Sequence, residues 1–176
     1  MLRRNAESGK PAAIRFLGSS YVDGSYGLVP SHKKAARLFQ RATDLGDVTA
    51  MINLGCCYMS GEGVKLDKKK AIKYYRMAAD RGMAHAQFNL GICFDRGFGV
   101  AQDYAEAVRF HRLAADQGYA NAEYLLGCMY EAGEGVPGDT AKAARLFERA
   151  AAKGSKEAKS ALAARPLLRA TRSRLL

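Results

Sequence analysis

The chain has 176 residues, 48% of them hydrophobic and 26% charged, and a formal net charge of +11. That is enough apolar content at the length of one ordinary domain to bury a core, which excludes a disordered chain. The longest run without a formal charge, Val48 to Gly61, is 14 residues, too short to cross a bilayer. Met1-Leu2-Arg3-Arg4 leads into polar residues, not into the apolar run of a secretory signal.

Eighteen glycines stand against four prolines, which suits short helices broken by tight turns. Gly46, Gly82, Gly118 and Gly154 recur every 36 residues, so the chain divides into repeats. Residues 1–10 read as the partial end of a preceding repeat, because Leu2 to Gly9 resembles Tyr75 to Gly82. Repeat 1, residues 11–46, is degenerate and carries a one-residue insertion in its turn. Repeats 2, 3 and 4 cover 47–82, 83–118 and 119–154 and share one skeleton. In repeat 2 it is Ala50, Leu54, Gly55, Tyr58, Gly61, Gly63, Val64, Asp67, Ala71, Ala78, Ala79 and Gly82.

Each unit predicts two helices. Ala50, Leu54 and Tyr58 recur every four residues and share one helical face. Gly55 beside them costs roughly 1 kcal/mol in helix propensity, which points to close approach of a neighbouring helix. Gly61-Glu62-Gly63-Val64 breaks the first helix, with the valine plugging the core beneath the turn. Ser31, Asp67, Asp103 and Asp139 are expected to cap the second helices. Ser155 to Ala164 reads as a capping helix, and residues 165–176, with Arg169, Arg172 and Arg174, as a basic tail.

The skeleton Ala-x-x-x-Leu-Gly-x-x-Tyr-x-x-Gly-x-Gly-Val-x-x-Asp-x-x-x-Ala, closed by Ala-Ala-x-x-Gly, resembles the Sel-1-like repeat, a relative of the tetratricopeptide repeat. The resemblance covers residues 47–154 without a gap and 11–46 with the insertion. It implies an all-α, right-handed α-solenoid of helix-turn-helix units whose first helices line a concave groove. It also implies a role as a scaffold or adaptor for protein–protein interaction. A cysteine-rich branch of the family ties its two helices together by disulfides; here no second helix contains a cysteine.

Positions common to all repeats are structural, so a binding site is expected where the repeats differ. Opposite the apolar stripe of the first helices lie Arg15; Thr49, Ile52, Asn53 and Cys56; His85, Phe88, Asn89, Ile92 and Asp95; Asn121, Tyr124, Cys128 and Glu131. Laid side by side they predict a groove that is basic to neutral early, apolar in the middle and acidic late. Ile52, Phe88 and Tyr124 form one column, which either anchors a partner or packs helix on helix.

The second helices carry a basic face of Lys33, Lys34, Arg37, Lys69, Lys70, Lys73, Arg109 and Arg145. That face either solvates the repeat or meets an acidic partner, a nucleic acid or an anionic membrane surface. A third possibility is a regulatory fragment of a longer protein.

No catalytic constellation is legible. His32 opens a helix, His85 faces the groove, and His111 takes the slot of Phe39, Tyr75 and Phe147. No two histidines have metal-ligand spacing, there is no Cys-x-x-Cys, and the glycine turns lack the lysine of a phosphate loop. The expectation is a non-enzyme without cofactor or metal. Four cysteines in columns too widely spaced to pair point to reduced thiols and an intracellular location, cytoplasmic or nuclear.

Overall fold

The computed structural model describes residues 6–7 and 9–164; the Arg169, Arg172 and Arg174 tail lies outside the described residues. All regular structure among them is helical. The chain falls into two compact units, residues 1–102 and 103–176. The first holds α1 (Pro11–Asp23), α2 (His32–Asp44), α3 (Val48–Ser60), α4 (Lys68–Ala79) and α5 (Ala84–Arg96). The second holds α6 (Tyr104–Asp116), α7 (Ala120–Ala132), α8 (Thr140–Ala152) and α9 (Lys156–Ala163). Within each unit every helix packs on its neighbours in sequence.

The expected caps are present. Ser31, Asp67, Asp103 and Asp139 each accept a hydrogen bond from the backbone N–H three residues on, at 3.4, 2.9, 3.0 and 2.9 Å. Each takes up one of the donors that the start of a helix leaves without a partner. The turn before the cap is closed by the backbone: Asp67 N–H donates to the Tyr58 carbonyl at 2.9 Å, and Asp139 N–H to Tyr130 at 2.8 Å. In repeat 1 the inserted residue leaves Tyr26 at φ 60°, a left-handed backbone that costs a non-glycine residue of order 1 kcal/mol.

The core of the first unit is built from Ile14, Leu17 and Tyr21 of α1, Ala35, Phe39 and Ala42 of α2, and Ala50 and Leu54 of α3. In the second unit Ala143, Phe147 and Ala150 of α8 close on Ala158 of α9. Small alanines bring the helix axes together, and an aromatic at the position of Phe39, Tyr75 and Phe147 on the second helices fills the remaining space.

That aromatic explains the helical glycine. A Cβ on Gly55 would stand 2.5 Å from Cε1 of Tyr75; on Gly18 it would meet Cε1 of Phe39 at 2.7 Å, and on Gly127 Cε1 of Phe147 at 2.7 Å. The nearest neighbour that excludes a side chain is thus a ring of the same repeat's second helix. The second turn glycine sets the register between repeats. At Gly63 a Cβ would overlap the carbonyl of His32, at Gly99 the backbone of Lys68, and at Gly135 the carbonyl of Tyr104. These are the first residues of the preceding repeats' second helices, so each turn seats on the helix start one repeat back.

Gly55→Ala is expected to destabilise by about 1–3 kcal/mol from overpacking, although alanine favours a helix by roughly 1 kcal/mol. In a Tyr75→Ala background the same change should become stabilising. Thermal unfolding of the four chains measures the difference.

Candidate functional site

The candidate groove begins between α1 and α3. Its outward faces enclose a cavity of about 310 Å³, lined by Ser19, Val22, Asn53 and Cys56, with Phe39 among its apolar lining and Asp23 and Glu62 among its polar. Val22 is 40% exposed, an apolar side chain left at the mouth. Tyr75 donates its hydroxyl to the Cys56 sulfur at 3.4 Å, which ties the lining to the buried ring beneath Gly55.

The charge of this part differs from the expectation. Arg15 is not an open cation: its Nε donates to both Asp47 carboxylate oxygens at 3.1 Å. Asp47 in turn caps α3 through the Ala50 N–H at 2.8 Å. The charged residues that line the cavity are Asp23 and Glu62, so the early groove is acidic-rimmed. Hydrogen bonds from the Ser25 hydroxyl and backbone hold the Asp23 carboxyl below its ordinary range.

The apolar column divides. Ile52 is 1% exposed; it is core, because the α3 face that carries it is covered by packed helices. Tyr124 is half-buried, with its ring 5.6 Å from that of Phe147. Phe88, Asn89, Ile92 and Asp95 of α5 are half-buried, and His85 is exposed. The Asp95 carbonyl accepts from Gln102 Nε2 at 2.6 Å. Thr49 and Asn53 are half-buried and Cys56 exposed on α3; on α7 Asn121 and Glu131 are exposed and Cys128 half-buried.

On the second helices Lys33, Lys34, Arg37, Lys69, Lys70, Lys73, Arg109 and Arg145 are all exposed. Three lysines at equivalent positions lie over first-helix tyrosines: Lys34 over Tyr21 at 5.2 Å, Lys70 over Tyr58 at 4.3 Å and Lys142 over Tyr130 at 5.4 Å. These cation–π contacts compensate lysine at a helix start, where the dipole repels it. Arg109 is engaged by Glu106 through three hydrogen bonds of 2.8–3.2 Å and lies 4.1 Å over Phe110.

The Sel1 repeat model matches residues 11–47, 48–83, 84–119 and 120–155. The chain belongs to the Sel1 repeat family. Proteins built from Sel1 repeats are generally protein-interaction scaffolds, and the chain has their all-α solenoid fold. The structure is similar to that of a Sel1 repeat protein from Oxalobacter formigenes, 32% identical with a TM-score of 0.83. It is also similar to c5321, a protective antigen of uropathogenic Escherichia coli strains with an SLR fold, 38% identical at a TM-score of 0.83. Each match covers 88% of this chain, which spans 63% of the first protein and 33% of the second. Helicobacter pylori cysteine rich protein B shares the fold at 23% identity and a TM-score of 0.59, over 73% of this chain and 92% of its own. Among curated proteins, none matches the chain.

Two buried polar residues of the Sel1 units bear on stability. His111 is 1% exposed, in the slot that holds Phe39 and Phe147 elsewhere, and burial lowers its pKa from 6.5 to about 4. Glu123 went unremarked in the sequence. It is fully buried on α7 and accepts from Arg149 at 2.6 Å and Lys153 at 2.7 Å. Its column reads Met51, Gln87, Glu123, and in repeat 2 Arg81 Nη1 approaches the Met51 sulfur at 3.8 Å. A carboxylate beside the invariant Ala122, with two cations one helix later, was the available signal. Among the described residues, no group of three or more His, Cys, Asp or Glu side chains could hold a metal.

Because the unfolded chain protonates His111 near pH 6.5 and the folded chain only near 4, stability present above pH 6.5 is lost as the pH falls toward 4. The loss is on the order of 1.4 kcal/mol per pH unit at most. His111→Phe should flatten this part of the curve, seen by comparing unfolding of the two chains at pH 7 and 4.5. Removing both cations in Arg149→Met/Lys153→Met should cost about 3–5 kcal/mol by stranding a buried carboxylate. Adding Glu123→Met, which copies Met51, should restore most of that loss in denaturant titrations.

Proposed function

We propose that this Sel1 repeat protein is a non-catalytic adaptor that holds a protein or peptide segment along the exposed face of its first helices. The observation that carries the reading is the cavity of about 310 Å³ between α1 and α3. Its walls are Ser19, Val22, Asn53 and Cys56, positions that change from repeat to repeat, while the ring of Phe39 beneath them belongs to the recurring core. Variable walls over a constant floor suit selection of a partner without loss of the fold.

The chemistry of the cavity favours an apolar side chain with a cationic neighbour. Val22 and Phe39 supply apolar contact, and Asp23 and Glu62 at the edge attract positive charge. His85, Phe88, Asn89 and Ile92 on α5, and Asn121, Tyr124, Cys128 and Glu131 on α7, extend the same face in their own units. We place the protein in a reducing compartment. Burial raises the Cys57 and Cys93 thiols to about 11, so they act as small apolar core residues. No helix among the described residues is long and apolar enough to cross a membrane.

A photo-crosslinking residue at position 53 should capture a protein partner from native lysate, and the yield should survive 0.5 M salt. The same residue at position 73, on the basic face, should capture none. Capture only at 73, lost with salt, would instead support an acidic or polyanionic partner. Phe88→Ser should weaken the partner with little loss of thermal stability if α5 contributes, whereas Leu90→Ala, 0% exposed, should cost about 2–5 kcal/mol. A loss at Phe88 as large as at Leu90 would remove it from the site.

A further inference from the structure

Two cavities away from the groove occupy the same place in two different repeats. One, of about 350 Å³, lies in repeat 1 among Leu17, Tyr21, Lys34, Arg37, Leu38 and Arg41. The other, of about 250 Å³, lies in repeat 4 among Leu126, Tyr130, Lys142, Arg145, Leu146 and Arg149. Position by position the linings are one set: leucine and tyrosine from the first helix, then Lys-x-x-Arg-Leu-x-x-Arg along the second. Each also has a single carboxylate on its lining, Glu7 and Asp116 respectively.

Repeat 2 shows what closes such a cavity. There Tyr74 replaces the leucine and Met77 the last arginine. The Tyr74 ring stacks on Tyr58 with centroids 5.7 Å apart and planes at 11°, and its hydroxyl donates to Gln40 at 3.1 Å. An aromatic side chain therefore fills the space that leucine leaves open. In repeat 3 the same positions read Phe110 and Leu113, with Glu106 in place of the lysine. Leucine and the added arginine line the cavities of repeats 1 and 4 together. The repeat 2 cavity that borders Tyr58 and Lys70 is lined instead by Val64, Lys65, Leu66 and Asp67 of the turn.

The chemistry selects an occupant. Tyrosine and two leucines offer apolar contact, and cations surround them. These are Lys34, Arg37 and Arg41 in repeat 1, and Arg112, Lys142 and Arg145 in repeat 4 beside Arg149, which is paired with Glu123. The volume sits at the small end of ligand pockets, room for one large side chain. A stacked nucleobase needs an open aromatic face, but Tyr21 is 7% exposed and covered by Lys34. The Tyr130 ring lies under Lys142, and its hydroxyl accepts from Arg112 at 3.1 Å. We infer that the repeat 1 and repeat 4 cavities are twin docking sites for an acidic peptide segment, each taking one large apolar side chain flanked by carboxylates. This does not rest on the groove reading, with which the cavities share no residue.

The test is an NMR titration of the isotope-labelled full chain with the peptide Asp-Glu-Phe-Leu-Glu-Asp, beside a control in which lysines replace the acidic residues. Amide shifts are expected around residues 34–41 and 142–149 with the acidic peptide only, and should disappear in 0.5 M NaCl. Arg145→Glu should weaken the repeat 4 site at least ten-fold and leave repeat 1 unchanged, with Arg37→Glu doing the converse. Leu146→Tyr copies Tyr74, keeps every charge, and should abolish the repeat 4 response while the melting temperature holds or rises. No shift at millimolar peptide, or an unchanged response in a folded Leu146→Tyr chain, would overturn the proposal. So would an oligothymidylate that shifts the same amides when the peptide does not. Loss of the crosslink at position 53 would leave it standing, because that measures the groove.

Discussion

A ring pressed against a glycine governs the spacing of the two helices in repeats 1, 2 and 4. Phe39 on Gly18, Tyr75 on Gly55 and Phe147 on Gly127 bring second-helix aromatics to distances that no Cβ tolerates. Once the ring occupies that space, the alanines around it, Ala35, Ala42, Ala71 and Ala78 among them, are buried because nothing larger fits. The turn glycines then seat each unit on the helix start of the one before. A solenoid made this way has a core fixed by a few small residues, which leaves long stretches of helix surface free to vary.

That freedom is used differently on different faces. The outward face of α1 and α3 carries a cavity with variable polar walls and two carboxylates. The second-helix face carries cations, some absorbed by local contacts such as Lys70 over Tyr58 or Arg109 with Glu106, and some exposed such as Arg37 and Arg145. The departures from strict repetition fall into two kinds. Glu123 with its two cations and His111 in an aromatic slot alter the core, where burial makes them costly. Leu38 and Leu146 in place of an aromatic leave a surface cavity beside them, Leu38 half-buried and Leu146 buried.

Much of the fold was legible in the chain because its repetition acts as an internal comparison. The period, the two helices per unit, the capping Ser31, Asp67, Asp103 and Asp139, and the need for space beside Gly55 all follow from residues that recur. Site residues were less legible, since varied positions face solvent, a neighbour or a partner alike. Ile52 shows the difficulty: it shares a column with Phe88 and Tyr124, yet it is core. Arg15 reads as an open charge in the sequence, yet Asp47, 32 residues on, holds it.

By itself the sequence determined the family, the all-α repeat architecture and the candidate faces, because helix periodicity, capping and turn chemistry act over a few residues. Only the tertiary structure decided which varied positions remain open. Whether a cavity survives between helices depends on the volume of a side chain contributed by another helix, as Tyr74 and Leu38 demonstrate in neighbouring repeats. Whether a charge is free depends likewise on partners about 30 residues away, as Glu123 with Lys153 and Arg15 with Asp47 show. Such pairings arise from the stacking of whole helices, and no local pattern in the chain encodes them.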